Sequence, residues 1–257
     1  MSVSANVIMP QNTLRQIGMK GVGAADAAPV LYLLHGLSDD ETIWMRRTSI
    51  ERYAAQYGLA VVMPNGARSY YADMLRGGKY WTYLSEELPK VMQSFFRISD
   101  RREDTFAAGL SMGGRGTCVL ALNHPEKFAG ACVLSAVPSD LRAMKAEGGM
   151  MWARMQKSVA NFDSEEDFLN SYQNTWKVLE DAVKQGTELP RLLFGCGEDD
   201  MLYKDFLAFR EKADRLGLKA DYFSIPGLKH EWRFWDQGIQ KALDFFGIGT
   251  QDCGNPF

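Results

Sequence analysis

The sequence predicts an α/β protein built on a doubly wound, mostly parallel sheet. Short apolar runs of strand length alternate with segments of helical spacing along most of the 257 residues, which is the rhythm of a parallel sheet with helices on both faces. The runs at 30–34 and 59–63 are apolar at every position, as is expected of central strands buried on both faces. Folds of this class and length are often single domains, so we expect residues 1–257 to form one domain.

The predicted strands are short runs rich in apolar side chains, and several are bounded by turn-forming residues. The run at 59–63, for example, is stopped by Pro64-Asn65-Gly66. In chain order the predicted strands cover residues 3–10, 30–34, 59–63, 105–108, 128–135, 191–195 and 220–225.

The helices are predicted from apolar residues at helical spacing together with end signals. Residues 43–56 have this spacing, with Gly58 just past the end, where a helix commonly stops. Residues 86–96 form a second predicted helix, with Ser85 as its N-cap and Pro89 in its first turn. The remaining predicted helices cover residues 114–122, 203–216 and about 234–246, and a loose tail is expected at 247–257.

One segment interrupts the alternation of strands and helices. Residues 139–173 contain no clear strand, but they include Trp152, a Gly148-Gly149 pair and four methionines. We interpret the segment as a cap-like insertion over the carboxyl edge of the sheet, where ligands bind in such folds. Methionine-rich apolar surface suits either a substrate cap or a contact between subunits, and ordinary core helices remain an alternative.

Composition excludes several classes of partner. The chain has a formal net charge of −3, with 46% hydrophobic and 24% charged residues, and it has no basic block that would indicate binding to nucleic acid or to an anionic membrane. Residues 1–10 lack the basic start and apolar region of an export signal, and the longest strongly apolar stretch, 27–34, is too short to span a bilayer. Four cysteines do not form a disulfide framework at this size. We therefore expect a cytoplasmic protein.

The strongest motif is the pentapeptide at 109–113, Gly-Leu-Ser-Met-Gly. It lies between the predicted strand at 105–108 and the predicted helix at 114–122, the context of a nucleophile elbow, in which a sharp turn exposes a reactive serine. Glycines are needed two residues before and after Ser111 because the backbone passes so close that a Cβ would clash. The motif predicts Ser111 as a nucleophile, which in turn requires a histidine base, an acid and two oxyanion donors.

The base is identified almost by elimination, because the chain has only three histidines. His35 ends a strand immediately before a glycine, and His124 lies in a polar helix terminus. His230 follows the last predicted strand and precedes the last helix, which is the order of serine, acid and histidine found in α/β-hydrolases. We therefore predict His230 as the base.

The acid is expected in a loop after a strand between the serine and the histidine. The strand at 191–195 is followed by three consecutive carboxylates, Glu198, Asp199 and Asp200. Asp200 is favoured and Asp199 is second, but spacing alone does not separate them. The unused carboxylates are expected to cap the next helix.

Two backbone N–H groups are predicted to stabilise an oxyanion. One belongs to Met112, the residue after the nucleophile, at the start of a helix. The other is assigned to Leu37, in the loop after an early strand, where Gly36 lets the backbone turn sharply. His35 is expected to support this turn. A plain strand–helix connection is the alternative for the loop.

No cofactor or metal is expected. Three scattered histidines do not form a ligand cluster. Neither Gly21-Val22-Gly23 nor Gly114-Arg115-Gly116 continues to the third glycine of a dinucleotide-binding motif.

Four segments in the same order together resemble a known family, the esterases grouped around esterase D (S-formylglutathione hydrolase), tributyrin esterases, feruloyl and acetyl-xylan esterases and the antigen 85 mycolyltransferases. These segments are residues 32–44, 109–114, 200–203 and 230–232. The resemblance covers nearly the whole chain and is closest to the tributyrin-esterase branch. It implies an α/β-hydrolase fold and favours Asp200 as the acid. Arg115 departs from the family pattern, which usually has an aromatic residue there.

These residues predict a serine carboxylesterase that acts on short-chain acyl esters through an acyl-enzyme. The alternatives are an S-formylglutathione-type thioesterase, a feruloyl or acetyl-xylan esterase, an acyltransferase with the same triad, and a non-catalytic protein that retains the fold. The expected partner is a small-molecule or glycan-linked acyl ester, and a homo-oligomer is compatible with the sequence. Acyl chain length and leaving group are not predicted.

Overall fold

The chain folds around one twisted sheet in a computed structural model that describes residues 2–11, 21, 23, 26–74, 76–156 and 162–248. Within these ranges the sheet has seven strands in the order β1-β3-β2-β4-β5-β6-β7. The strands are β1 (Ala5–Ile8), β2 (Val30–Leu34), β3 (Ala60–Pro64), β4 (Thr105–Leu110), β5 (Gly130–Leu134), β6 (Arg191–Gly197) and β7 (Asp221–Ile225).

The helices connect these strands in nearly every crossover. They are α1 (Ile43–Arg47), α2 (Ile50–Ala55), α3 (Tyr80–Thr82), α4 (Leu88–Phe95), α5 (Met112–Asn123), α6 (Leu141–Glu147), α7 (Gly149–Met155), α8 (Glu165–Leu169), α9 (Thr175–Gln185), α10 (Tyr203–Leu216) and α11 (Trp232–Phe246). A π-helical stretch, Tyr83–Glu87, joins α3 to α4.

The predicted fold class is confirmed. Strands β2 to β7 are parallel to their neighbours, and β1 alone runs antiparallel, at the edge beside β3. Helices cover both faces: α5, α9 and α10 contribute to the apolar core on one face, and α1, α2 and α11 to the core on the other. Strand β2 is buried at every position, as its uninterrupted apolar run predicted. No helix of the described residues is both long and apolar enough to cross a membrane.

The predicted helix at 43–56 is wrong as a single element, because the chain breaks between α1 and α2. Thr48 adopts an extended conformation at the end of α1. Its hydroxyl donates to the Trp44 carbonyl at 2.6 Å and accepts from the Ile50 amide at 3.2 Å. Threonine side chains compete in this way with helical backbone bonds, so the helix ends and restarts although the apolar spacing continues.

The predicted helix start at Ser85 is also wrong. Ser85 lies inside the π-helical stretch, where its hydroxyl donates to the Trp81 carbonyl at 2.9 Å and caps nothing. Pro89 has no N–H to donate to the carbonyl of Ser85, one turn back. The Lys127 ammonium donates to that carbonyl instead, at 3.2 Å. Pro89 itself lies in the first turn of α4, as predicted, where a missing N–H is tolerated.

Residues 139–173 contain α6, α7 and α8, and no strand occurs in the part of this segment that is described. The three helices enclose a small apolar cluster of their own, with Leu141, Trp152, Met155, Phe168 and Leu169 buried. Residues 157–161 of the segment, and residues 249–257 of the expected tail with Cys253, lie outside the described residues.

Candidate active site

The turn at Ser111 is a strained elbow between β4 and α5. Ser111 has φ 53° and ψ −116°, a conformation that L-residues seldom adopt without a structural requirement. A Cβ on Gly109 would lie 2.4 Å from the Gly113 carbonyl oxygen, and one on Gly113 would lie 2.3 Å from the Leu34 carbonyl oxygen. Glycine is therefore required at both positions, and the elbow holds the serine at the carboxyl end of β4.

A chain of hydrogen bonds joins Ser111 to His230 and Asp200. The Ser111 hydroxyl lies 3.0 Å from Nε2 of His230, and Nδ1 of the same ring lies 2.9 Å and 3.1 Å from the two Asp200 carboxylate oxygens. Since an ionised carboxylate only accepts, the ring proton is assigned to Nδ1, which leaves Nε2 free to accept from the serine. The structure thus brings together three residues that are far apart in the sequence.

The structure separates Asp200 from its neighbour Asp199. The Asp200 side chain is fully buried against His230, whereas Asp199 is exposed. The Asp200 carboxylate also accepts from the Leu202 amide at 2.9 Å. Glu198 accepts from Ser224, and no side chain caps α10, so the prediction that the unused carboxylates cap this helix is wrong.

Asp200 is held in its ionised form. Burial alone would raise the pKa of this carboxyl, but hydrogen bonds from His230, the Leu202 amide and the Ser135 hydroxyl outweigh burial and hold the pKa below its usual value. Carboxylates that accept several hydrogen bonds behave in this way. The charge beside His230 is therefore kept at neutral pH.

The loop after β2 is braced by His35. Its Nδ1 donates to the Gly36 carbonyl at 2.7 Å, and its Nε2 accepts from the Gly66 amide at 2.8 Å. The Tyr71 hydroxyl donates to the His35 carbonyl at 3.1 Å. Burial lowers the pKa of His35, and an accepting Nε2 requires the neutral ring. This histidine therefore holds the shape of the loop and does not face Ser111.

Leu37 follows this braced turn, and Met112 is the first residue of α5. Neither backbone N–H has an acceptor within the described part of the chain. Unpaired N–H groups at the start of a helix and after a tight turn are available to a developing negative charge.

The third histidine is separate from this arrangement. His124 lies at the end of α5, with Nδ1 3.1 Å from a Glu126 carboxylate oxygen, and its ring stacks on Trp81 at 5.5 Å between centroids. It has the polar terminal position that its sequence context predicted.

Two residues near the acid were missed by sequence reasoning. Ser135, directly after β5, is fully buried and has φ 49°. Its hydroxyl oxygen accepts from Nε1 of Trp235 at 3.0 Å. The available signal was a lone serine at the end of the apolar strand that follows the nucleophile strand, at the same edge of the sheet.

Arg115, one helical turn after Ser111, is buried without an acidic partner. Its Nη2 donates to the backbone and side-chain oxygens of Gln173 at 3.0 Å and 2.8 Å, and its Nη1 donates to the Tyr70 carbonyl at 3.4 Å. Its Nε and the Gln173 Nε2 are buried and have no hydrogen-bond partner within the part of the chain that the structure describes. Burial lowers the pKa of Arg115 to about 10. The Arg115 side chain therefore ties α5 to the end of segment 139–173, while its backbone N–H donates to the Ser111 carbonyl at 3.0 Å within the helix.

No group of three or more metal-ligating side chains is present among the residues that the structure describes. The arrangement in hand is a serine, an imidazole and a carboxylate in line, beside two unpaired N–H groups. Such an arrangement can attack a carbonyl carbon and stabilise the resulting oxyanion.

Comparisons with known proteins agree with this chemistry. The family model described as Putative esterase matches residues 21–245. An acetyl esterase of Caldicellulosiruptor saccharolyticus is 26% identical over 225 residues, covering 84% of this chain and 82% of that protein.

Two solved structures from Staphylococcus aureus are similar over nearly the whole chain. The substrate-bound structure of FphF, a fluorophosphonate-binding serine hydrolase, has a TM-score of 0.77 and 35% identity, covering 95% of this chain and 92% of that one. The S-formylglutathione hydrolase FrmB, without ligand, has a TM-score of 0.77 and 34% identity, covering 97% and 94%.

Proposed function

The chain belongs to the putative esterase family and is a serine hydrolase, and from that premise we propose that it is a carboxylesterase for short-chain acyl esters. In this proposal Ser111 is the nucleophile, His230 the general base and Asp200 the acid that orients the imidazole. The backbone N–H groups of Leu37 and Met112 form the oxyanion hole.

The reaction proceeds in two halves. The Ser111 hydroxyl attacks the ester carbonyl while His230 takes its proton, and the Leu37 and Met112 amides stabilise the tetrahedral oxyanion. The protonated imidazole then gives its proton to the leaving alcohol, and the acyl group remains on the serine. Water, deprotonated by the same ring, attacks the acyl-enzyme, and the carboxylic acid leaves.

The observation that carries the proposal is the continuous hydrogen-bond chain from Asp200 through His230 to Ser111. The strained backbone of Ser111 adds support, because strain of this kind persists where the surrounding structure requires it, often at functional sites. Asp199 is not proposed as the acid, because it is exposed.

The test is burst kinetics with p-nitrophenyl acetate and butyrate. We expect a burst of p-nitrophenol close to one equivalent for the wild type and none for Ser111→Ala, whose turnover should fall by about 10⁴-fold or more. Ser94→Ala is the matched control, because Ser94 is exposed on α4 and donates only to the Val91 carbonyl. Full activity in Ser111→Ala would overturn the proposal.

A second candidate is a thioesterase of the S-formylglutathione hydrolase type. The observation that favours it is the similarity of the chain to FrmB. The same residues would act, since a thioester carbonyl is attacked in the same way as an ester. A panel of p-nitrophenyl esters, tributyrin, S-formylglutathione, feruloyl esters and acetylated sugars, ranked by kcat/KM, separates these substrates. Adding alcohol or sugar acceptors to the same assays tests the acyltransferase alternative by the ester formed.

We also propose that residues 139–173 form a cap within a single domain. The segment leaves the sheet directly after β5 and Ser135, at the carboxyl edge that holds Ser111. It returns at Gln173, which Arg115 binds. The proposed substrate is a small-molecule or glycan-linked ester, the proposed location is the cytoplasm, and no role for nucleic acid, membrane or cofactor is part of the proposal.

A further inference from the structure

Residues 66–71, which lie shortly after β3, hold His35 from two sides, and we call them the clamp loop. The Gly66 amide donates to Nε2 of the His35 ring at 2.8 Å, and the Tyr71 hydroxyl donates to the His35 backbone carbonyl at 3.1 Å. The rings of Tyr71 and His35 lie beside each other, with centroids 5.9 Å apart. The clamp loop therefore holds both the side chain and the backbone of His35.

The clamp loop is strained at the residue that reaches the His35 backbone. Tyr71 has φ 55°, and a positive φ is rare for a bulky side chain. Ser69 holds this conformation, because its hydroxyl accepts from the Tyr71 amide at 3.0 Å and donates to the Gly66 carbonyl at 2.6 Å. Strain of this kind persists only where the surrounding structure requires it, so the placement of this tyrosine requires an explanation.

Two glycines make room for the Tyr71 ring, which is 1% exposed. A Cβ on Gly66 would lie 2.3 Å from the ring, and a Cβ on Gly116, in α5, would lie 2.4 Å from it. The ring thus lies between the clamp loop and the helix that begins after Ser111. Because the ring is closely packed on both sides, its hydroxyl has a fixed position.

The bonds to His35 also fix the direction of the Leu37 N–H. Nε2 of His35 accepts from Gly66, so the ring proton is on Nδ1, which donates to the Gly36 carbonyl at 2.7 Å. The described part of the chain has no cis peptide bond, and in a trans peptide the C=O and the N–H point in opposite directions. Holding the Gly36 carbonyl therefore directs the Leu37 N–H to the other side of the chain.

We propose that Tyr71 is a positioning residue for Leu37, the proposed oxyanion donor. The Tyr71 hydroxyl holds the peptide between His35 and Gly36, and the His35 ring holds the next peptide, whose N–H belongs to Leu37. The donor is then aimed before an ester binds, and it does not have to turn during the reaction. This inference rests on the proposed function for its effect on rate, and on the hydrogen bonds for its structural part.

The other contacts of this turn do not replace the Tyr71 hydroxyl. The Gly36 carbonyl has a second donor, the Asp39 amide at 3.2 Å. The His35 carbonyl accepts only from Tyr71 within the residues that the structure describes. Since glycine rotates more freely than other residues, loss of this one bond lets the chain turn at Gly36. The Leu37 N–H then loses part of its aim.

The first test is Tyr71→Phe, which keeps the ring between the two glycines and removes only the hydroxyl. With p-nitrophenyl butyrate we expect kcat to fall about tenfold and KM to stay unchanged, a smaller loss than the about 10²–10³-fold cost of removing an oxyanion donor. Tyr53→Phe is the matched control, because Tyr53 also donates to one acceptor, Asp236 at 3.0 Å, and packs on the other face of the sheet. It should keep the wild-type kcat and KM.

A trifluoromethyl ketone separates the aim of the donor from a general loss of structure. The Ser111 oxygen adds to the carbonyl carbon, His230 takes the serine proton, and the carbonyl oxygen becomes an oxyanion that mimics the tetrahedral intermediate. In Tyr71→Phe we expect the inhibition constant to rise by the factor by which kcat/KM falls. The corresponding methyl ketone, which stays uncharged, should bind the variant and the wild type alike.

Ser69→Ala provides a second variant if Tyr71→Phe does not fold. It removes the hydroxyl that holds the Tyr71 amide and leaves the tyrosine itself in place. We expect a fall in kcat in the same direction but smaller, again with KM unchanged. A rise in KM with kcat unchanged, in either variant, would overturn the role of Tyr71, because an oxyanion donor acts in the transition state and not on the bound substrate.

The backbone amide resonances of Gly36 and Leu37, followed by NMR, need no substrate, so the two proposals fail separately. We expect both resonances to move in Tyr71→Phe and neither to move in Tyr53→Phe. If they stay in place in Tyr71→Phe, the role of Tyr71 is wrong, whatever the enzyme hydrolyses. If they move while the wild type hydrolyses no ester or thioester, the structural role stands and the proposed function falls.

Discussion

The strand ends that hold Ser111 and the segment at 139–173 are built differently. At the strand ends the buried polar side chains of Asp200, Ser135 and His35 all have hydrogen-bond partners. Where the segment meets α5, by contrast, Arg115 Nε and Gln173 Nε2 are buried and find no hydrogen-bond partner among the described residues. Buried polar side chains with all their hydrogen bonds made are held in one geometry, whereas a buried group without a partner costs the fold stability that a new partner could restore.

The two regions also differ in their backbones and apolar surfaces. The glycines of the elbow have neighbouring backbone atoms where a Cβ would lie, whereas Gly148 and Gly149 of the segment have nothing within 4 Å of that position. Met150 is 70% exposed and Met151 41% exposed. The difference teaches that the backbone of the sheet edge tolerates little change, whereas the segment can change at less cost in stability.

The largest expected effect is on catalysis, when the negative charge of Asp200 at the sheet edge is removed. Asp200→Asn should lower kcat by about 10⁴-fold, because an amide no longer selects the Nδ1–H form of His230. Steady-state kinetics with p-nitrophenyl butyrate measures this change. Asp199→Asn, one residue away and exposed, should retain wild-type rates; equal losses in the two variants would remove the distinction between these neighbours.

Replacing a glycine by alanine should cost more stability at the elbow than in segment 139–173. In Gly113→Ala the new Cβ lies 2.3 Å from the Leu34 carbonyl oxygen, which cannot move away, so we expect a loss of about 3 kcal/mol in unfolding free energy. Gly148→Ala has open space but a φ of 71°, and the expected loss is about 1 kcal/mol. Urea unfolding measures both, and similar losses would contradict the comparison.

Supplying the missing partner should stabilise the junction with the segment. Gln173→Glu replaces an unpartnered N–H₂ by a carboxylate oxygen that can accept from Arg115 Nε, so we expect a gain of about 1–2 kcal/mol in unfolding free energy. The gain should disappear and become a loss in the double variant with Arg115→Met, because the new carboxylate is then buried alone. A double-mutant cycle by thermal unfolding tests the coupling, and additive effects would show that the two side chains do not interact.

The smallest expected effect is a pH dependence of stability that comes from Asp200. Its pKa is held below the usual value in the folded state, so its ionised form stabilises the fold above the unfolded pKa of about 3.9. This contribution is lost as the pH falls from there through the folded value. Wild type and Asp200→Asn should therefore converge in unfolding free energy as the pH drops below about 4, and parallel curves would show that Asp200 contributes nothing.

Much of the fold could be predicted because local pattern and tertiary structure agree. The strand at 30–34 and the helix at 203–216 have the bounds that their sequences indicate. The failures come from contacts that no local pattern contains. Thr48 breaks a helix with its own hydroxyl, and Ser85, expected to cap a helix, lies inside a π-helical stretch where its carbonyl accepts from Lys127.

The site shows the same division. Motif and chain order were enough to select Ser111 and His230, and the structure brings these two side chains together with Asp200. Ser135 and Trp235 could not be found in this way, because a single serine after a strand and a tryptophan in an amphipathic helix have no distinctive spacing. Their significance depends on the register of β5 and β6, which appears only in three dimensions.

The backbone hydrogen bonds from Ser111 to Leu134 and from Ser135 to Gly195 fix both serines to the sheet. The distance between the two serines is set by neighbouring parallel strands, about 4.8 Å apart, and does not depend on the chain that leaves after Ser135. An insertion or deletion in residues 139–173 changes the length of that segment without changing the distance between Ser111 and Ser135. The length of the segment can therefore change while the strand ends that hold Ser111 and Ser135 keep their spacing.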